Sequence, residues 1–334
     1  MAIRVGINGV GRIGRNFWRI ARERGEEMEI VAVNDVTDVA TLAGVLCRDT
    51  LRGRFPGVVS VDGAGLTVDG RPVRVTCEPD PAALRWDEAG VDVVLESTGA
   101  FTADPERHLA AGARKVVVSA PSRAADLTVV MGINEDAYDP QRHHVVSNAC
   151  CTSNCAAPLL TLLDRNFGVV GGGLTTVHAY SNRQGSLLDD AHPNLRIARA
   201  PACNVIPLGL DACIDVLDGV LPALAGRLLG ASMRVPVGAG SLVDLVVRLS
   251  REVGVAEVNA VLETAAAGEL KGYLEYAEAP LVSRDVVGSP ASCVVDSGLT
   301  AVLGDHVRVV GWYDNEWGYP HRLVDLVRLV GTHG

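Results

Sequence analysis

Several features are missing from this 334-residue sequence, and each absence excludes a class of protein. No stretch is dense in lysine or arginine and the formal net charge is -10, so the electrostatic footprint that a nucleic-acid backbone requires is lacking. The longest apolar stretches are short and broken by glycine, proline or charge, so no membrane span is expected. The N-terminus passes from Met1 into Ile3-Arg4-Val5-Gly6-Ile7-Asn8 without a signal-peptide pattern, which predicts a cytoplasmic location. No C-x-x-C pairs with another at zinc spacing, so no metal is expected, and a chain of this size needs no disulfide staples. Internal repeats and low-complexity linkers are also wanting.

What is present is an ordinary globular composition, 48% apolar and 21% charged, long enough for two domains with a core each. Over the first 150 residues strand-like runs (3–8, 29–35, 91–98, 115–120, 127–132, 143–148) alternate with helical patterns (12–24, 39–47, 106–111). Continuous runs such as Lys-Val-Val-Val suit strands buried on both faces of a parallel sheet. Residues 57–75 carry Asp-Gly twice and read as an antiparallel hairpin insertion. After residue 150 a helix (152–167) precedes longer alternating strands (174–180, 231–237, 242–250, 291–297, 307–313), the pattern of an α+β domain with a mainly antiparallel sheet. Residues 181–207 are polar and aperiodic, a length that marks a functional or assembly loop. A stripe of Leu323, Leu326, Val327 and Val330 marks a closing helix.

Gly9-Val10-Gly11-Arg12-Ile13-Gly14 falls between the first strand and the first helix. Such glycines permit a tight turn and let a pyrophosphate approach the helix N-terminus, where unpaired N–H groups and the dipole favour anions. The second strand ends in Asn34-Asp35, about twenty residues on, where a carboxylate accepts hydrogen bonds from a ribose diol and repels a 2′-phosphate. The expectation is a Rossmann-type doubly wound parallel sheet that binds NAD in preference to NADP. A glycine-rich turn beside a strand-end acid is the bland alternative.

Five of the eight cysteines are scattered (Cys47, Cys77, Cys203, Cys213, Cys293) and read as small buried hydrophobes. Cys150, Cys151 and Cys155 cluster in Ser147-Asn148-Ala149-Cys150-Cys151-Thr152-Ser153-Asn154-Cys155, after a strand and at the opening of a helix. A thiolate there is favoured by the dipole and nearby N–H groups, and can carry an acyl group as a thioester. Spacing alone leaves open which of the three reacts.

With these segments, Asn8-Gly9-Val10-Gly11-Arg12-Ile13-Gly14-Arg15-Asn16, Glu96-Ser97-Thr98-Gly99, Thr176-Val177-His178-Ala179-Tyr180 and Trp312-Tyr313-Asp314-Asn315-Glu316-Trp317-Gly318-Tyr319, the chain resembles the glyceraldehyde-3-phosphate dehydrogenase family from end to end. The resemblance implies Cys151 as nucleophile and His178 as base. It implies Asn315 orienting the nicotinamide carboxamide with Tyr319 nearby, and Asn8, Gly9, Gly11, Arg12, Ile13, Asp35, Ser97, Thr98, Gly99 and Ser119 around the cofactor. It also implies an NAD-binding domain of residues 1–150 completed by a C-terminal helix (318–334), a catalytic domain of 151–317, and a homotetramer in which the 181–207 loop reaches a neighbour's cofactor site.

Departures from the family pattern concentrate on its two anion sites. For the substrate phosphate, Arg234 and Ser181 match, but Ile197 stands where a second arginine is usual. Arg183 is expected to restore that positive charge from the other side. For the attacking inorganic phosphate, Thr152 remains, while Cys150, Leu210 and Asp211 replace serine, threonine and glycine. A like charge about 4 Å from a bound anion costs on the order of 1–4 kcal/mol in a partly exposed site. Pro79 and Ala191 replace residues usual near the adenosine end, which bears on cofactor affinity.

The leading expectation is oxidation of D-glyceraldehyde 3-phosphate to 1,3-bisphosphoglycerate. Its alternative is a paralogue acting on another phosphorylated or phosphonate aldehyde, with the thioester passed to water or another acceptor. A fold-retaining binding protein without turnover and an inhibitor-resistant duplicate are the other readings. Semialdehyde dehydrogenases share the layout, but the 313–319 motif argues against them.

Overall fold

The computed structural model describes residues 2–25, 28–63, 65–181 and 188–332, and the chain falls into two compact units. The first comprises residues 1–129, 136–148 and 320–334 and the second 130–135 and 149–319.

The first unit runs β1 (Ile3–Asn8), α1 (Arg12–Glu23), β2 (Met28–Asn34), α2 (Val39–Cys47), a short pair β3 (Arg48–Asp49) and β4 (Gly53–Arg54), then β5 (Val59–Asp62), β6 (Gly65–Val68), β7 (Arg71–Thr76), β8 (Val93–Glu96), α3 (Arg107–Ala110), β9 (Lys115–Val118), β10 (Leu127–Thr128) and β11 (Val145–Ser147). Nine strands form one sheet in the order β10-β11-β9-β8-β1-β2-β7-β6-β5. All pairs are parallel except β5 with β6 and β6 with β7, the antiparallel meander that residues 57–75 predict. The chain moves from β1 out to β7 and then returns to β8 on the other side of β1. That reversal opens a crevice at the carboxyl ends of β1 and β8, where doubly wound sheets bind their ligands. Val93 to Glu96 and Lys115 to Val118 are buried throughout, as strands covered on both faces must be.

One expected strand is shorter than its apolar sequence suggests. Residues 127–132 bond to β11 only as far as Val129, whose N–H donates to the Ser147 carbonyl at 2.8 Å; beyond it the Asn134 side chain takes the Val130 N–H at 2.8 Å and a turn closes from Val130 to Ile133. Local hydrogen bonding of this kind competes directly with a ladder.

The second unit contains α4 (Cys151–Phe167), β12 (Val169–Ala179), β13 (Ile206–Gly209), α5 (Asp211–Val220), β14 (Leu228–Val235), β15 (Ser241–Leu249), α6 (Val255–Ala267), β16 (Leu274–Ala277), β17 (Cys293–Asp296), β18 (Ala301–Leu303) and β19 (His306–Tyr313). Its sheet has the order β13-β14-β12-β15-β19-β17-β16, with β18 against β19, and is mainly antiparallel. Along β15, Val243, Leu245, Val247 and Leu249 are buried while Val246 and Arg248 are exposed, so one face carries the core. Leu159, Leu160 and Leu163 of α4 fill that core with Leu217 of α5 and Leu262 of α6.

The closing helix α7 (Gly318–Thr332) buries Leu323, Leu326, Val327 and Val330 completely, and Gly331 sits where a side chain would strike Ile3 of β1. Among the described residues no helix is long and apolar enough to cross a membrane.

Candidate active site

In the first unit the glycine turn links β1 to α1. Gly9 has φ +91°, and a Cβ there would lie 2.7 Å from the Thr98 backbone nitrogen, so only glycine lets the two loops meet. A Cβ on Gly14 would lie 2.4 Å from the Gly9 carbonyl, which seats α1 against the turn. Gly11 differs: a Cβ there meets nothing within 4 Å. Gly11 is also the residue before α1, a helix with no side-chain cap and no acidic residue in its first turn. Open space before uncapped N–H groups fits a dinucleotide pyrophosphate.

The second loop is held to the first. Ser97 Oγ donates to the Asn8 and Gly9 carbonyls at 3.1 and 2.7 Å. Asp35 accepts from Val10 N at 2.8 Å through one oxygen and from Thr37 N at 3.0 Å through the other, so it braces the turn and keeps further acceptor capacity on each oxygen. Gly99 has φ +74° and open space at its Cβ position, and Ser119 N donates to the Glu96 carbonyl at 2.9 Å. Arg12 and Ile13 are both half-buried at the start of α1.

Below this crevice lies a polar network that the sequence motifs do not announce. The Glu96 carboxylate, wholly inside, accepts from Asn8 Nδ2 at 2.6 Å, Thr98 N at 2.8 Å and His108 Nε2 at 2.9 Å. Trp86 Nε1 donates to His108 Nδ1 at 3.0 Å; an indole N–H can only donate, so the imidazole proton sits on Nε2 and faces Glu96. Burial by itself would raise the Glu96 carboxyl, but the hydrogen bonds from His108, Thr98 and Asn8 outweigh it and hold the group below its ordinary value. Asn34 Nδ2 closes the network on Asn8 Oδ1 at 2.8 Å.

In the second unit the chain enters α4 through Ala149, a fully buried non-glycine residue at φ +60°. Tyr319 Oη donates to the Ala149 carbonyl at 3.2 Å. The left-handed residue turns Cys150 into an extended N-cap, and Ser153 answers with a capping box: Ser153 N donates to Cys150 Sγ at 3.4 Å and Cys150 N to Ser153 Oγ at 3.0 Å. Cys151 is therefore the first residue of the helix.

Cys151 Sγ stands 3.4 Å from His178 Nε2. His178 Nδ1 lies 2.6 Å from the Ala179 carbonyl, which can only accept, so Nδ1 carries the proton and Nε2 turns its lone pair on the thiol. His178 is the register partner of Arg234 on the adjacent strand β14, and Arg234 Nη1 reaches the same Ala179 carbonyl at 3.4 Å. Tyr313 packs edge-on to His178, and its hydroxyl meets Thr176 Oγ1 at 2.7 Å and Thr152 Oγ1 at 3.0 Å. Sequence reasoning passed over Tyr313; only the fold places it under the thiol, two residues from Asn315. Ser241 was missed too. It accepts from Ala179 N and donates to Asn315 Oδ1 at 3.1 Å, which turns the Asn315 NH₂ the other way. Asp314 holds that turn by accepting from Glu316 N, Trp317 N and Gly288 N.

A helix start alone does not leave Cys151 ionised. Burial pushes its thiol well above the ordinary value and a charge on Cys150 adds to the rise, while Arg234 and the Thr152 N–H pull down only in part. Cys150 moves the other way, lowered by hydrogen bonds from Cys213 and Ser153 against the cost of burial. Cys155 is fully buried and reaches Gly311 O at 3.5 Å.

The residues assigned to the anion sites differ in exposure and in what engages them. Leu210 precedes α5 and packs against the core with Ile214, over Gly230. Asp211, exposed, is the first residue of α5, so the helix meets its own carboxylate where an anion would approach. Thr152 is buried and its hydroxyl is engaged by Tyr313. Ser181 is half-buried just beyond β12, and Arg183 lies outside the described residues.

A crevice for a dinucleotide in one unit and an imidazole-paired thiol at a helix start in the other define an NAD-dependent dehydrogenase of the thioester-forming class. Comparison with known proteins agrees. Residues 3–104 match the glyceraldehyde 3-phosphate dehydrogenase NAD binding domain, and residues 150–315 match the C-terminal domain of the same family. The chain is 54% identical to glyceraldehyde-3-phosphate dehydrogenase 2 of Streptomyces avermitilis and 55% identical to the glyceraldehyde-3-phosphate dehydrogenase of Streptomyces coelicolor, with 99% of each chain covered. It is 52% identical to that of Geobacillus stearothermophilus over the full length of both. The chain belongs to the glyceraldehyde-3-phosphate dehydrogenase family.

Proposed function

We propose that this chain oxidises D-glyceraldehyde 3-phosphate with NAD through a thioester on Cys151 and passes the acyl group to inorganic phosphate. The observation that carries this reading is the Cys151–His178 pair, 3.4 Å apart with the imidazole tautomer fixed toward the thiol. As Cys151 Sγ bonds the aldehyde carbon, His178 Nε2 takes the thiol proton and delivers it to the aldehyde oxygen. His178 then withdraws that hydroxyl proton while the carbon–oxygen double bond re-forms. NAD, when bound, supplies the acceptor for the hydride that leaves the same carbon. Gly9, Gly11, Asp35, Ser97, Thr98, Gly99 and Ser119 hold it in the first unit, and Asn315 and Tyr319 are its candidates in the second. Phosphate attack on the acyl carbon breaks the carbon–sulfur bond and returns the sulfur as leaving group.

Arg234 and Ser181 receive the substrate phosphate, with Arg183 as the further cation. The alternative of a different acidic aldehyde discharged to water is not favoured, since the relatives carry the glyceraldehyde-3-phosphate dehydrogenase name. What Leu210 and Asp211 support is a weak acceptor site within the same reaction. NADH formation from glyceraldehyde 3-phosphate, measured with and without inorganic phosphate, tests this. Dependence on phosphate with a high KM, lowered several-fold by Asp211→Gly, is expected; turnover that ignores phosphate would overturn it. A cytoplasmic homotetramer is the assembly proposed. Leu188, Leu195 and Val205, each more than 60% exposed in the stretch before and into β13, support it as apolar side chains in need of cover.

A further inference from the structure

Ser241 opens β15, the strand that lies between β12 and β19 in the second sheet. The chain enters it through Gly240 at φ +84°, where a Cβ would strike the Ser283 carbonyl, so the backbone before Ser241 is fixed. Register pairing with β12 begins at Leu242, and with β19 at Ser241 itself, opposite Tyr313. Past those rungs the Ser241 hydroxyl takes over. It accepts from Ala179 N at 3.0 Å and donates to Asn315 Oδ1 at 3.1 Å. One hydroxyl thus joins the end of the strand that carries His178 to the turn that carries Asn315. Ser241 is 1% exposed and Ala179 wholly buried, so water has little access to replace either bond.

We propose that Ser241 is a positioning residue for the hydride step, setting the base and the residue that meets the nicotinamide in one arrangement through a single oxygen. This rests on the reading of Asn315 as a candidate for the nicotinamide carboxamide. On one side Ser241 pins the N–H of the peptide that follows His178. The carbonyl of the same residue, Ala179, takes the His178 Nδ1 proton at 2.6 Å and Arg234 Nη1 at 3.4 Å. Ala179 therefore holds the base with one backbone group and Ser241 with the other.

On the other side Ser241 fixes which way the Asn315 amide faces. An amide that turns over exchanges donor for acceptor at nearly constant shape. Here such a flip would put Nδ2 against the serine and leave a buried hydroxyl proton without its acceptor, which is costly. The arrangement seen leaves a donor, Nδ2, and the second lone pair of Oδ1, which together complement a carboxamide. Whatever holds Asn315 also holds the peptide behind His178.

The test reads nucleotide binding alone, without aldehyde, phosphate or turnover. Calorimetric titration of the full chain with NAD and with ADP-ribose, which lacks the nicotinamide ring, gives the ratio of the two Kd values. In Ser241→Ala, ADP-ribose binding is expected to hold while NAD weakens about 3- to 10-fold, the size of one lost hydrogen bond. Asn315→Ala should raise the ratio likewise, and Ser241→Ala placed on top of it should add nothing further. Ser241→Cys fills the same space with a weaker donor and should give a smaller rise, which decides the matter even where the alanine chain folds poorly. Equal losses of NAD and ADP-ribose in both Ser241 variants would mark a merely structural role and overturn the proposal. An unmoved ratio in both beside a raised one in Asn315→Ala, or effects that add in the double variant, would overturn it too. An unmoved ratio in Asn315→Ala removes the reading of Asn315 itself, and this proposal with it.

Discussion

At the residue scale, two adjacent thiols share one helix start, and a negative charge on Cys150 raises the thiol of Cys151. Because burial already holds Cys151 up, its thiolate is scarce at neutral pH, and deprotonation is tied to attack through His178. Alkylation of Cys151 by iodoacetamide is therefore expected to climb as pH rises past neutrality. Cys150→Ser removes the neighbouring charge, so the climb should begin at lower pH; an unchanged profile contradicts this electrostatic account. None of it was legible in Cys150-Cys151 as letters, since a helix start predicts a lowered thiol and only the fold supplies the burial. His178 was likewise one histidine of eight until the family resemblance singled it out. Tyr313 and Ser241 stayed hidden for a related reason: their partners lie far along the chain, at Thr152 and Thr176 for one and Asn315 for the other.

At the scale of elements, the loops after β1 and β8 are fastened by Glu96, whose carboxyl is held below its ordinary value. A depressed carboxyl stabilises the fold above its unfolded pKa, about 4.3, and that contribution is lost as pH falls through the folded value. Glu96→Gln should cost about 1–3 kcal/mol near neutrality, the price of unpaired buried partners, and weaken NAD binding. Thermal melts of the two proteins should converge as pH drops below about 4; a gap that persists there would contradict the linkage. The glycine turn and the buried strands were plain in the sequence because periodicity and glycine spacing are local. The β10 strand was overextended because Val130 and Met131 look like strand residues, while the Asn134 side chain that ends the pairing is polar and distant by four positions. The Glu96 network carries no motif, since Trp86, His108 and Asn34 join it only through the sheet.

At the scale of the whole molecule, the doubly wound sheet and the mainly antiparallel sheet follow from two patterns visible in the chain, continuous apolar strands first and alternating ones after. Assembly is less legible, because Leu188, Leu195 and Val205 sit in an aperiodic loop whose purpose depends on a neighbour. Light scattering of the purified chain should give the mass of four copies, and Leu188→Asp with Leu195→Asp should lower it; a monomer in the unaltered chain would contradict the proposed tetramer. The account as a whole stands on Cys151 as the acyl carrier. Rapid mixing with glyceraldehyde 3-phosphate and NAD, without inorganic phosphate, followed by acid quench and peptide mass analysis, tests it most directly. The expected result is a burst of NADH with an acyl group on Cys151, slowed by roughly 10²–10⁴-fold in His178→Ala and absent in Cys151→Ser. An acyl group on Cys150 instead, or a burst that survives Cys151→Ser, would contradict it.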